Sequence, residues 1–209
     1  MSELPAADPK QRMPAEARRR QLLEVALEKF AARGFHETSM EEIADAAGVT
    51  KPVLYQHFHS KQDLFLELLE SEGGDLQRAV MEGAAAESDP YQQVLAGFRA
   101  YFEFVCNRTS AFQLLFGSGA RLADEFTDSV RRLEEAIALV IGRFIDADID
   151  AEYRDLLGHA IVGLGEVAGR RWLVTHDADR LDPADADRIA VRMADLVWAG
   201  LRALPPESH

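Results

Sequence analysis

Residues 38–61 read Thr-Ser-Met-Glu-Glu-Ile-Ala-Asp-Ala-Ala-Gly-Val-Thr-Lys-Pro-Val-Leu-Tyr-Gln-His-Phe-His-Ser-Lys, and this stretch leaves few folds open. Ser39 followed three residues later by Glu42 is a capping box, so a helix starts there. Ile43, Ala46 and Ala47 give that helix an inner face. Gly48 supplies a turn in which a positive φ costs least without a Cβ. Thr50 caps the next helix, and Pro52 sits in its first turn, where a missing N–H costs nothing. Leu54 and Phe58, at i and i+4, face inward. Two short helices around a glycine form a helix-turn-helix, which places a side-chain-bearing rod in the major groove of DNA. The same spacing also occurs as a plain hairpin inside helical bundles.

The outer side of the second helix is suited to nucleic acid. Thr50 and Lys51 stand at its N-terminus, where free N–H groups favour a phosphate or a base edge. Tyr55 can donate to phosphate, and Gln56 or His57 can do the same or reach a base. Pro52 and Val53 offer apolar contact to a thymine methyl. Lys61 is placed to bind the DNA backbone, and Arg18, Arg19 and Arg20 to reach a flanking groove. The formal net charge of −13 argues against bulk attraction to DNA, but the charge is unevenly spread. Residues 10–61 hold nine basic groups against seven acidic ones, and all four lysines of the chain lie there. A slightly positive head on an acidic body favours docking through the head alone.

The rest of the chain reads as helix throughout. Pro5, Pro9 and Pro14 mark residues 1–14 as a disordered arm. Leu22, Leu23, Ala26, Leu27 and Phe30 recur at helical spacing from Ala15 until Gly34 stops the run. Ser60 caps a fourth helix to about Ala86. Five more follow: one opened by Asp89-Pro90, one over 110–116, one over about 123–145, one over about 151–174, and one opened by Asp182-Pro183 that ends before Pro205. No strand-like alternation and no repeat appears. The expected architecture is all-α with about nine helices: a DNA-binding unit over 15–60, a helical ligand-binding and dimerisation unit over 61–204, and a tail over 205–209.

Phe35 to Leu66 resembles the N-terminal domain of the TetR family of bacterial transcriptional regulators. Thr38-Ser39-Met40, Ile43-Ala44, Ala47-Gly48-Val49-Thr50-Lys51, Leu54-Tyr55, His57-Phe58 and Ser60-Lys61 with Leu64 follow the family pattern almost position by position. Pro52 departs from it, since many members carry glycine there. The resemblance adds Ser39 and Met40 to the candidate DNA contacts. It implies a homodimer that reads a palindromic operator, acts as a repressor, and is controlled by a small molecule bound in the C-terminal part. Tyr101-Phe102-Glu103-Phe104, Phe112 to Phe116 and Val197 to Leu201 look like the FasR-type subset that regulates lipid synthesis. That likeness implies a small apolar ligand such as a long-chain acyl-CoA. The alternative is a protein of the same fold that acts mainly through a protein partner; a filled core over 90–176 would favour it.

Phe98, Tyr101, Phe102, Phe112, Phe116 and Phe144 are candidates to line an apolar pocket, with plain core packing as the other reading. Gly165 and Gly169 thin one face of the eighth helix, and with Trp172 and Trp198 they are assigned to a dimer interface. Tight packing within one subunit is the alternative. Asp146-Ala-Asp148-Ile-Asp150 begins like a calcium loop but lacks its glycine and closing glutamate. No metal or cofactor is expected. An enzyme would need a convergent acid, base or nucleophile, and His159 stands without a visible partner. A single cysteine, Cys106, fits a reducing compartment. No secretory signal or membrane span is read, and the expected location is the cytoplasm.

Overall fold

The computed structural model describes residues 13–117, 126–176 and 181–204. Among these, nine helices and no strand are found: α1 (Ala15–Glu37), α2 (Met40–Ala46), α3 (Lys51–His57), α4 (Lys61–Ala85), α5 (Pro90–Asn107), α6 (Thr109–Phe116), α7 (Thr127–Arg143), α8 (Ala151–Thr175) and α9 (Pro183–Leu201). Most of the expected arm, the start of the seventh helix and the tail lie outside the described residues.

Helix starts follow from capping chemistry. Ser60, Asp89, Asp150 and Asp182 each accept a bond from a backbone N–H in the first turn that follows. Pro90 and Pro183 sit in first turns that need no donor there. Gly34 breaks α1 with φ 79° and ψ 171°, and the chain makes one further turn before Thr38. The buried Thr38 hydroxyl ties off this break by donating to the Gly34 carbonyl at 2.8 Å.

The head (α1 to α3) closes over Leu22, Ala26, Phe30, Ile43 and Leu54, all at most 2% exposed. It is fused to the body by an aromatic cluster. Phe65 packs edge-on to Phe30 at 5.0 Å and Phe126 edge-on to Phe35 at 4.7 Å. Phe126, expected inside the long seventh helix, instead precedes its first turn and plugs the head–body seam. α6 packs on α1, and α4 runs from the head into the body, so two helices join the units. In the body α5 lies between α4 and α9, and α7 lies along α8.

Candidate DNA-binding face and ligand cavity

The turn between α2 and α3 is held by the backbone. Gly48 takes φ 66°, its N–H reaches the Asp45 carbonyl at 3.0 Å, and the Val49 N–H reaches Ala44 at 3.0 Å. This paired closure requires a left-handed residue, which glycine fills without strain. At the other end of α2 the Ser39 hydroxyl accepts from the Glu42 N–H at 3.2 Å, and the Glu42 carboxylate accepts from the Ser39 N–H at 2.9 Å. The bonds from Ser39, then the one from Arg33, hold the Glu42 carboxyl below its ordinary range.

α3 stands on two buried residues, Leu54 at 0% and Phe58 at 2% exposure. Its other side presents Thr50, Lys51, Pro52, Tyr55 and Gln56 exposed, with Val53 and His57 half-buried. The Thr50 hydroxyl makes no capping bond, contrary to the sequence expectation, and so is unspent. Lys51 lies 3.9 Å from Glu41, the outer limit of an ion pair between two exposed groups. Arg20 is exposed, while Arg18 donates to Gln21 at 2.6 Å.

Three sequence expectations for this face are corrected. Met40 is 6% exposed and belongs to the head core. Lys61 does not face outward: its ammonium donates to the Phe35 carbonyl at 2.8 Å and to Thr38 at 2.9 Å, and lies 4.3 Å from the Phe35 ring centroid. After the break at Gly34 the Phe35 carbonyl keeps only a long bond from the Thr38 N–H at 3.4 Å, and a cation completes it. Arg19 pairs with Glu67 and lies 4.6 Å over the Phe58 ring, so it clamps α1, α3 and α4 together. Sequence reading missed both structural cations because their partners, Glu67 and Phe58 for Arg19 and the Phe35 and Thr38 carbonyls for Lys61, lie 23 to 48 residues away and are brought near only by the fold.

The body encloses a cavity of about 770 Å³ of empty space, its open mouth included. Val80 and Ala84 of α4, Gln93, Gly97, Phe98 and Tyr101 of α5, and Phe116 of α6 line one side. Ile137, Val140 and Phe144 of the α7 region, Ile161 and Gly165 of α8, and Val197 and Leu201 of α9 complete it. Among the described residues that line it, only Gln93 and Tyr101 have polar side chains. Four of the six expected aromatics therefore line the cavity. Phe102 and Phe112 do not; at 0% and 1% exposure they fill the core behind it.

The expected dimer glycines are also re-placed. A Cβ at Gly165 would meet the Tyr101 ring at 3.5 Å, and one at Gly169 would meet Phe112 at 2.9 Å, both in the same subunit. Trp172 is 3% exposed and packs edge-on to Phe102. The close approach is internal, and these three residues offer no surface to a second chain. Trp198 is half-buried against Tyr91. The outward side of α8 carries Leu156, Val167 and Val174, 61%, 58% and 78% exposed, with Leu196 of α9 at 58%. Ala160 is exposed between them, and a Cβ at Gly163 would meet nothing within 4 Å.

Among the described residues no group of three or more His, Cys, Asp or Glu could hold a metal ion, and no helix is long and apolar enough to cross a membrane. His159 is bonded to its own helix at the Asp155 carbonyl, 2.9 Å away. Burial is the main cause that raises the Cys106 thiol above its ordinary range, which disfavours the thiolate.

A glycine-pivoted helix pair with an outward polar row, carried on a hollow helical body, defines a helix-turn-helix transcriptional regulator that binds DNA. The chain belongs to the TetR family: the model of the bacterial regulatory proteins of that family matches residues 22–68. It is 32% identical over 196 residues to the HTH-type transcriptional activator FasR of Mycolicibacterium smegmatis, covering 93% of this chain and 87% of that one. It is 30% identical over 175 residues to the HTH-type transcriptional regulator TcmR of Streptomyces glaucescens, covering 77% and 75%. A TetR-like transcriptional regulator from Rhodococcus sp. RHA1 superposes with a TM-score of 0.75 at 27% identity, over 92% of this chain and 100% of that one.

Proposed function

We propose that this protein is a homodimeric regulator that reads a palindromic operator with two copies of α3 and is controlled by an apolar ligand of the acyl-chain class, such as a long-chain acyl-CoA. The unit over 15–60 holds the DNA, and the unit over 61–204 holds the ligand and the partner subunit. Thr50, Lys51, Pro52, Val53, Tyr55, Gln56 and His57 face the major groove; Ser39, Arg18 and Arg20 flank it. The apolar bundle face of α8 around Gly163, with Leu196 of α9, takes the partner subunit. This replaces Gly165, Gly169 and Trp172 in that role.

The reading is carried by one observation: the helix that opens against the head also walls the cavity. α4 is fixed at Lys61 to the carbonyls beside the α1 break, and Val80 and Ala84 lie about 28 and 34 Å further along it, at 1.5 Å per residue. A ligand that fills the cavity acts on α4 directly, and tilting α4 changes the spacing of two heads that must lie about 34 Å apart. Such control needs a ligand that prefers one spacing over the other. The cavity also favours this reading over action through a protein partner alone, for which the body core would be filled. The Mycolicibacterium smegmatis relative is an activator by name, and the titration below reads the sign of control.

The test is selection of bound duplexes from a randomised library, then titration of the recovered sequence with and without a long-chain acyl-CoA. A two-fold symmetric site whose affinity changes with the acyl-CoA is expected. An asymmetric site, or an affinity that acyl-CoA leaves unmoved while it binds the protein, overturns the reading.

A further inference from the structure

Glu41, the second residue of α2, carries a carboxylate onto the side of the head where α3 begins. It is not the capping group of its own helix, because Glu42 closes the capping box with Ser39. Its side chain is 72% exposed and lies 3.9 Å from the ammonium of Lys51, the first residue of α3. Glu41 and Lys51 line one shallow depression together with Ser39 and Tyr55, so the carboxylate stands among the groups assigned to DNA. Negative charge on a surface that meets phosphates weakens binding. Two nearby cations are also spent elsewhere, Arg19 on Glu67 and Lys61 on backbone carbonyls. A contact with a base edge is the use that offsets this cost.

The chemistry of the base edges decides which base. A carboxylate accepts hydrogen bonds and donates none. In the major groove guanine shows two acceptors and thymine an acceptor beside a methyl. Adenine shows an acceptor next to a donor, and cytosine shows a donor alone, its N4 amino group. A carboxylate is therefore opposed by guanine and thymine, half matched by adenine and fully matched by cytosine. The first residues of a recognition helix are those that reach base edges, and Glu41 lies beside the first residue of α3. Lys51 offsets the charge that Glu41 carries to the groove while keeping its own attraction to phosphate.

We propose that Glu41 is a specificity-determining residue that accepts a hydrogen bond from the N4 amino group of one cytosine in each half-site. This rests on α3 being the helix that reads DNA, and it adds a named base to a site so far defined only by its symmetry.

The experiment selects bound duplexes from a randomised library with the full chain as wild type, Glu41→Gln and Glu41→Ala. Fluorescence anisotropy then compares duplexes that carry each base at the position where the selections differ. The wild type is expected to take cytosine at one position of each half-site, and to bind about ten-fold more weakly when another base replaces it in one half-site. Glu41→Gln is expected to prefer adenine at that same position, because an amide matches both N6 and N7 of adenine. Glu41→Ala is expected to accept all four bases there within about two-fold, and to bind unrelated duplexes more tightly once the charge that repels phosphate is gone. A residue that merely supported α2 would move stability and affinity but not the preferred base. Three outcomes overturn the proposal: the same base preferences in all three proteins, a base other than cytosine at the position that changes, or a gain on every duplex in Glu41→Ala with no preference lost. A wild type that recovers a two-fold site whose bases the variants leave unmoved sinks the role of Glu41 alone. A wild type that recovers no common sequence sinks α3 as the reading helix, and this proposal with it.

Discussion

Two lysines ten residues apart do opposite work, and their environments say which is which. Lys51 is exposed on α3 with only a stretched pairing to Glu41. Lys61 spends its donors on the carbonyls of Phe35 and Thr38. Lys51→Ala is expected to weaken binding to all duplexes and to lower the slope of log K against log salt by about 1, read by fluorescence anisotropy at several salt concentrations. Lys61→Met is expected to cost about 2 kcal/mol of stability in chemical denaturation, since it removes charged hydrogen bonds from buried carbonyls. Its effect on DNA follows from loosening the head, not from losing a phosphate contact. The Ser39–Glu42 pair gives a pH dependence of defined sign. Glu42 is held below its ordinary range in the folded state, so its contribution is complete above the usual glutamate pKa. That contribution is lost as the pH falls through the lowered value. Glu42→Gln should therefore narrow the gap in melting temperature between neutral and acidic buffers. Ser39→Ala should cost about 1 kcal/mol at neutral pH.

At the scale of helices, what the sequence made legible tracks how one-sided each helix is. α2, α3 and α4 bury one face and open with chemical signals at Ser39, Pro52 and Ser60, so their existence and direction followed from pattern alone. α8 was misread because it is apolar on two sides. Gly165, Gly169 and Trp172 face its own subunit, while Leu156, Val167 and Val174 face out. A helix apolar on both flanks has no polar stripe to orient it, so periodicity cannot tell which flank is buried in its own subunit. The same limit kept the cavity aromatics from being told apart: Phe98 and Phe102 share a helix and are both buried, yet only the first lines the void. The close approach of α7 and α8 is itself testable. A Cβ at Gly158 would stand 2.5 Å from the Ala138 carbonyl oxygen, a backbone atom that cannot swing away. Gly158→Ala is expected to force the helices apart and cost about 1–3 kcal/mol, despite the better helix propensity of alanine. An equilibrium denaturation curve at or above wild-type stability would show that α7 and α8 part without strain.

In the proposed regulator neither the head nor the cavity is sufficient alone. One α3, with its cap Thr50, would offer seven residues to a groove, and the body around it is acidic enough to repel phosphate. Linking two heads through the body converts the second docking into an intramolecular event, which multiplies affinity by roughly 100- to 10,000-fold without any new contact. In the dimer proposed above the linking surface is the α8 face that carries Leu156, Ala160, Gly163 and Val167, where apolar side chains are exposed and Gly163 leaves room for close approach. A charge there must be desolvated if two copies meet. Val167→Asp should therefore yield monomers in native mass spectrometry while leaving the helical content of each chain intact, because Val167 is 58% exposed and bears little of the subunit's own packing. The monomer should bind a single half-site as the wild-type head does, but lose the multiplied affinity for the full operator. A Val167→Asp protein that remains dimeric would place the interface elsewhere. One that becomes monomeric yet holds the full operator undiminished would break the link between pairing and operator affinity, and with it the account of how a ligand in the body governs the heads.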